Sequence, residues 1–283
     1  MTPTAVSVGR LVVCPTPIGN LEDVTLRVLA ALAEADVVAC EDTRHTRVLL
    51  DRHGISARLV SLHEHNERAR AGELLERVRA GEVVALVSDA GTPLISDPGY
   101  VLVHECIAAQ LPLEVLPGPS AILAALVASG LPSESWRFVG FLPRAGTELR
   151  ELLSAAGETL VAFESPRRLA GTLAELAAMD GGRAVAVCRE LTKVHEEVRR
   201  GTAAKLAEHY RAQGVRGEVV LVIGAAQAQA VHARELGEAV ATVDELVGAG
   251  AKPRVAAGVV ARLTGLRANE LYRQLTSRGN DEL

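Results

Sequence analysis

The stretch VALVSDAGTPLISDPGY, Val84 to Tyr100, decides the fold. An apolar run stops at Ser88-Asp89. From Asp89 to Gly99 the chain then holds two Gly, two Pro, a Thr and two Asp before an amphipathic pattern resumes. A β-branched run feeding that much turn chemistry reads as a buried strand followed by a loop that holds something. Asp97 reads as the N-cap of the next helix, with Pro98 as its first residue.

The same unit repeats outward from this stretch. Strand patterns fall at Leu11–Cys14, Val37–Cys40, Leu59–Leu62, Val83–Ser88 and Leu113–Leu116. Amphipathic helical patterns lie between them, near Val24–Glu34, Thr43–His53, Asn66–Ala80 and Pro98–Gln110. Repeated β-α-β implies a mostly parallel sheet covered on both faces. The segment LPGPSA, Leu116–Ala121, breaks the rhythm and marks a boundary. A second set of strands follows at Trp136–Leu142, Leu160–Glu164, Ala184–Glu190, Val194–Arg200 and Glu218–Ile223. Two of these are joined through Leu191-Thr192-Lys193, so this sheet is expected to be mixed, with an antiparallel pair. Beyond Ala225 only helical patterns remain, near Val243–Gly248, Arg254–Leu263 and Ala268–Thr276. The expected class is α/β: two α/β/α domains over residues 1–117 and 118–225, and a helical C-terminal region over 226–283.

Composition bounds the function. Of 283 residues 48% are hydrophobic but only 2% aromatic, so Leu, Val and Ala must fill the cores. No run reaches membrane-span length and no leader pattern opens the chain, which leads to an expectation of a cytoplasmic protein. Cys14, Cys40, Cys106 and Cys188 show no C-x-x-C spacing and are expected to be buried and reduced. A net charge of −5 argues against an indiscriminate nucleic-acid binder.

In open α/β sheets ligands sit beyond the carboxyl ends of the strands. The first strand ends in PTPIGNLED, Pro15–Asp23, with one Gly and two Pro. Proline has no amide to donate, so this is no phosphate cradle. The second ends in CEDTRHTR, Cys40–Arg47, where Asp42 or Thr43 can cap a helix but capping leaves Glu41, Arg44 and His45 unexplained. The third ends in HEHNE, His63–Glu67, which matches no common zinc spacing; Asn66 is its N-cap candidate, and no metal site is expected. Singly these are ordinary solvated residues, but together at one sheet edge they favour a site.

PTPIGNLED, EDTRHT, LHEHNE, SDAGTPLISDPG, LPGPSA, GFLPR, FESPRR and RELTK occur in that order, and with the tail LTGLRANELY (Leu263–Tyr272) they span nearly the whole chain. The chain thereby resembles the tetrapyrrole-methylase superfamily, and within it the family that methylates a cytidine ribose 2′-hydroxyl in small-subunit ribosomal RNA. The resemblance implies S-adenosyl-L-methionine in the cleft between two α/β/α domains, a homodimer, and the small ribosomal subunit as partner. It also assigns the loops. Gly91 lets the backbone approach the cofactor, Thr92 and Ser96 offer hydroxyls, Pro93 stiffens the turn, and Leu94 and Ile95 pack on the ligand. By similarity Pro15, Ser120, Ala121, Phe163 and Leu191 complete the pocket, although Phe163 reads equally well as a core aromatic.

A ribose 2′-hydroxyl needs its proton removed or its oxygen polarised. Asp42 is the expected proton acceptor, with His45 or His63 assisting and Glu41 and His65 nearby, while Lys193 is placed to stabilise developing negative charge. Arg44, Arg144 and Arg167 are expected to hold phosphates; Arg168 reads better as a solvated first turn. From Lys252 onward six basic residues face three acidic ones, +3, so against the whole-chain −5 the remainder carries −8. Lys252 and Arg254 lead that basic tail as RNA contacts. Seven aromatics are too few for stacking along a single strand, which leaves shape recognition of a folded particle. The rivals are a tetrapyrrole C-methyltransferase, which needs a wide apolar cleft floor, and a non-catalytic ribosome-assembly factor on the same fold.

Overall fold

A computed structural model of the chain describes residues 9–211, 214–226 and 228–278. The first sheet contains β1 (Arg10–Val13), β2 (Val37–Cys40), β3 (Leu59–Ser61), β4 (Val83–Leu86) and β5 (Leu113–Val115), ordered β3-β2-β4-β1-β5 and parallel throughout. Strand alternation sorts its side chains. Leu11 and Val13 pack under α3 (Glu67–Arg79) and α4 (Tyr100–Ala108), whereas Val12 and Cys14 pack under α1 (Leu26–Glu34) and α2 (Thr43–Arg52). Burial on both faces is why these strands read as continuous apolar runs. All four cysteines are free and buried. Burial pushes the Cys14 thiol up to about 12 and that of Cys188 to about 11, so neither is a ready nucleophile.

After α5 (Ala121–Ser129) the second sheet follows: β6 (Trp136–Phe141), β7 (Thr159–Glu164), β8 (Ala184–Arg189), β9 (Glu197–Thr202) and β10 (Val219–Ile223), ordered β6-β7-β10-β8-β9. It is mixed as expected: β6 and β7 are parallel, and every other pairing is antiparallel. Its outer face is covered by α6 (Gly146–Ala155), α7 (Leu169–Met179) and α8 (Ala203–Arg211). Its inner face packs on α5 and on Ile18, which the first sheet contributes from the loop after β1. The helices α9 (Ala228–Gly248), α10 (Pro253–Thr264) and α11 (Ala268–Arg278) form their own small core around Val240, Val243, Val260 and Leu271.

Four expectations are corrected. The strand predicted at Val194–Arg200 begins later, at Glu197. Glu190 and Thr192 take left-handed φ of 50° and 66°, and Thr192 N donates to Glu196 Oε2 at 2.6 Å, so the connection is a closed loop. Asp97 does not cap α4, which starts at Tyr100. The cap comes from Glu67 of α3, whose buried Oε1 accepts Gly99 N at 2.9 Å and Val101 N at 2.8 Å. Arg168 is not a solvated first-turn residue: it donates to Leu142 O and Pro143 O and faces the buried Glu164 carboxylate at 3.5 Å, bracing β6 against β7. Asn66 stands at the N-cap of α3, but its side chain turns back, accepting His63 N at 2.9 Å and donating to Ser61 O.

Candidate active-site cleft

The adjacent central strands β1 and β4 send their loops to the same edge, and backbone hydrogen bonds hold the two loops together. Thr16 N donates to Gly91 O at 2.8 Å and Gly91 N to Thr16 O at 3.0 Å. The Thr16 hydroxyl donates to Ser88 O at 2.9 Å, and the Ser88 hydroxyl to Gly91 O at 3.2 Å. This answers what the turn chemistry after β4 is for. The loop is fixed on PTPIG and then winds through left-handed φ at Gly91 (79°), Leu94 (74°), Ser96 (67°) and Gly99 (123°). Leu94 and Ser96 are costly there, so the contacts around the loop must hold it in this shape.

Between this loop, the LPGPSA segment and the inner face of the second sheet lies a cleft of about 1100 Å³. Gly91, Thr92, Ile95, Ser96, Ser120, Ala121 and Phe163 line it. Three more of the expected cofactor residues stand behind the wall. Pro15 packs on Gly118, where a Cβ would come within 2.6 Å of it; Pro93 is buried within the turn; Leu191 is buried beside Ile18. Thr92 Oγ1 donates to Pro119 O at 3.3 Å, and Ser120 Oγ caps α5, so both hydroxyls also hold the lip in place.

The sequence did not point to an aromatic wall, yet Trp136, Phe138, Phe141 and Phe163 all line this cleft, four of the seven aromatics. Phe163 stands 5.1 Å from Phe138 and 5.5 Å from Phe141, ring centroid to centroid. Strict alternation would put Phe138 and Phe141 on opposite faces of β6. A register shift between them, with Gly140 at φ 68°, brings both into the cleft. The G-F of GFLPR was the available signal. The lining includes the carboxylates of Asp97 and Glu218 and, among the described residues, no Lys or Arg; the Glu164 carboxylate is turned to the outer face, where Thr172 of α7 donates to it.

A smaller cavity of about 210 Å³ lies on the other side of the β1 loop, between it and the start of α2. Here the structure brings together two of the expected catalytic residues, His45 and Lys193, with Thr46, Asp89 and Glu218. Ile18, Ala90 and Glu218 belong to both cavities. The close passage of β1's loop along RELTK makes the meeting possible. A Cβ on Gly19 would lie 2.5 Å from Lys193 Cγ, and Asn20 N donates to Thr192 Oγ1 at 3.0 Å. Lys193 Nζ bridges Glu190 and Glu218 at 3.0 Å each; despite burial, those bonds hold its pKa above the usual lysine value.

Asp42 and His63 line neither cavity. Asp42 caps α2 through Arg44 N at 2.8 Å, and its two oxygens take Arg44 Nε at 3.1 Å and Nη2 at 2.6 Å. The Arg44 side chain and backbone together hold its carboxyl well below the usual range, so in this state it is a weak base. His63 sits near Glu41, with Nδ1 buried and without a hydrogen bond. Asp97 is shifted the other way from Asp42: burial first, then the charges of Glu41 and Asp89, push it up to about 6, against a hydrogen bond from Ser88. Arg144 and Arg167 are exposed, in the segments after β6 and β7. Lys252 stands at the N-cap of α10, and Arg254 lies over the Tyr272 ring at 5.5 Å. Among the described residues no three His, Cys, Asp or Glu side chains are grouped to hold a metal ion, and no helix is long and apolar enough to cross a membrane.

Two sheets share one cleft beside a proline-rich first loop, and among the described residues its lining holds no Lys or Arg. The chain belongs to the tetrapyrrole methylase family: the model described as Tetrapyrrole (Corrin/Porphyrin) Methylases matches residues 10–207. Family membership makes it a methyltransferase. More particularly, it is 49% identical over 268 residues to "Ribosomal RNA small subunit methyltransferase I" of Mesorhizobium japonicum, covering 92% of this chain and 89% of that one. It is 48% identical to the protein of the same name from Mycobacterium bovis, covering 94% of each. In fold it is similar to uroporphyrin-III C-methyl transferase from Thermus thermophilus, solved in complex with S-adenyl homocysteine (TM-score 0.54, 21% identity, 76% of this chain and 97% of that one).

Proposed function

We propose that the chain transfers the methyl group of S-adenosyl-L-methionine to the ribose 2′-hydroxyl of a cytidine in small-subunit ribosomal RNA. The observation that carries this is near-half identity, along almost the whole chain, to proteins named as small-subunit ribosomal RNA methyltransferases. The cleft fits the cofactor chemically. The Asp97 carboxylate, with no Lys or Arg among the described residues of the lining, suits a cationic sulfonium and no phosphate, and the aromatic wall suits an adenosine. Gly91, Thr92, Ile95, Ser96, Ser120, Ala121 and Phe163 would hold it, backed by Pro15, Pro93 and Leu191. When bound, it supplies an electrophilic methyl group on sulfur.

The chain's own work is alignment and proton removal. His45 and Lys193 face the small cavity beside the cleft, where Lys193 can stabilise a developing oxyanion. Arg44 is exposed and can pass from Asp42 to an RNA phosphate, which would return basicity to the Asp42 carboxylate; His63 is the reserve base. Arg144, Arg167, Lys252 and Arg254 supply further phosphate contacts. A homodimer in the cytoplasm is part of this reading. The dimer is supported by the apolar side chain of Val127 on α5, which is exposed and lies outside the cleft lining.

The wide apolar cleft is also what a macrocycle enzyme needs, so the test offers both acceptors. Labelled S-adenosyl-L-methionine is given with small ribosomal subunits, with naked RNA and with a porphyrinoid. Label in the RNA that blocks alkaline cleavage at one cytidine supports the proposal. Label in the porphyrinoid alone, or in none, overturns it.

A further inference from the structure

We propose that the 210 Å³ cavity is a receptacle for the acceptor nucleobase, taking a single flipped-out pyrimidine ring whose edge is read by Thr46 and Asp89. The inference rests on the RNA reading above and names the subsite that reading requires. An enzyme that reacts at one nucleotide of folded RNA must seat that nucleotide away from its neighbours. The large cleft is assigned above to the cofactor. The small cavity has room for roughly seven waters at about 30 Å³ each, the scale of one planar ring rather than a whole cofactor.

The walls are chemically suited. Pro17, Ile18, Leu21, Val48 and Leu49 give apolar surface for ring faces. Thr46 is 3% exposed, and its hydroxyl has no hydrogen-bond partner. The Cys40 thiol lies beside it, but sulfur is a weak acceptor and the thiol proton goes to Val60 O. A buried hydroxyl left unbonded costs stability, so its persistence at a cavity wall points to a ligand that completes it. Asp89 Oδ1 accepts Asp42 N at 3.1 Å, which fixes the carboxylate at the wall and leaves lone pairs on Oδ2. A carboxylate acceptor and a hydroxyl donor lining one cavity complement an exocyclic amino group and a ring nitrogen, the edge of cytosine. Thr16 and Ser88 are less free, because their hydroxyls already donate to backbone oxygens. With the base here, the ribose falls at Ile18, Ala90 and Glu218, which the two cavities share.

The test uses the full chain, unmethylated small ribosomal subunits and three variants. Thr46→Val removes the hydroxyl and keeps the shape, Thr46→Ser keeps the hydroxyl, and Val48→Trp fills the mouth from a position 58% exposed. Thr46→Val is expected to lower kcat/KM for subunits about fivefold, the worth of one neutral hydrogen bond, with Thr46→Ser near wild type. Val48→Trp should lower it roughly a hundredfold, as expected when an acceptor is misplaced. Calorimetric affinity for S-adenosyl-L-methionine and Tm should stay at wild-type values in all three. Wild-type kcat/KM in Val48→Trp and Thr46→Val, or a loss of cofactor affinity that accounts for the fall, overturns the assignment. If the wild-type chain itself transfers no methyl to subunits or RNA, the parent reading fails and this one with it, an outcome distinct from both.

Discussion

Glu67→Ala tests how the loop after β4 is anchored. Glu67 is 8% exposed, and its Oε1 accepts both Gly99 N and Val101 N. Hydrogen bonds to a charged acceptor contribute about 1.5–3 kcal/mol each, and alanine also leaves two donors at a helix start unbonded. Since desolvating the carboxylate offsets part of this, the expected loss is about 3 kcal/mol, or roughly 6–12 °C in Tm for a chain this size. Glu67→Gln keeps an acceptor oxygen and should lose about half as much, as a neutral acceptor does relative to a charged one. The effect should reach the site. Gly99 ends the loop carrying Ile95, Ser96 and Asp97, and it is confined, since a Cβ there would meet Leu86 Cδ2 at 2.8 Å. Freed of its anchor, that loop must be ordered by the ligand, so S-adenosyl-L-methionine affinity should fall about tenfold in the alanine variant. Circular dichroism melting and calorimetry measure both. An alanine variant within about 0.5 kcal/mol of wild type, the range of an ordinary surface change, refutes the reasoning. So does a glutamine variant as damaged as the alanine one.

Gly91→Val should cost about 1–2 kcal/mol for its φ of 79° and abolish cofactor binding in a chain that still melts cooperatively; unchanged calorimetric affinity would remove this loop from the site. Asp97, raised to about 6, is held neutral by the fold below that pH, whereas the unfolded chain ionises it near the usual value of about 3.9. Its contribution to stability is therefore full below about pH 4 and lost as pH rises through about 6, so Asp97→Asn should be more stable than wild type at pH 7 and lose that advantage by pH 4. Urea midpoints at the two pH values decide it, and a pH-independent difference would contradict the shift. Asp42→Asn can still cap α2, so a single-turnover rate about 10²-fold lower with cofactor affinity unchanged would mark it as the proton acceptor, and a wild-type rate would leave it a cap alone.

Much of this molecule was legible in its sequence. Apolar runs of strand length, separated by helical periodicity and ended by Gly, Pro and Asp, gave the two sheets and the mixed character of the second, because those patterns are local consequences of backbone geometry. Tertiary structure decided what depends on partners distant in sequence. Glu67 belongs by sequence to the HEHNE rim but serves as the cap of α4, because α3 and α4 cover the same face of the sheet. Asp97 has the sequence of a cap and instead becomes a buried carboxyl beside Glu41 and Asp89. One irregularity at Gly140 converts scattered aromatics into a wall, since a single inserted residue reverses which face every later side chain meets. His45 and Lys193 meet at one cavity only because β1's loop lies flat against RELTK, an approach set by the packing of two sheets about Ile18, and no pattern within either segment encodes it.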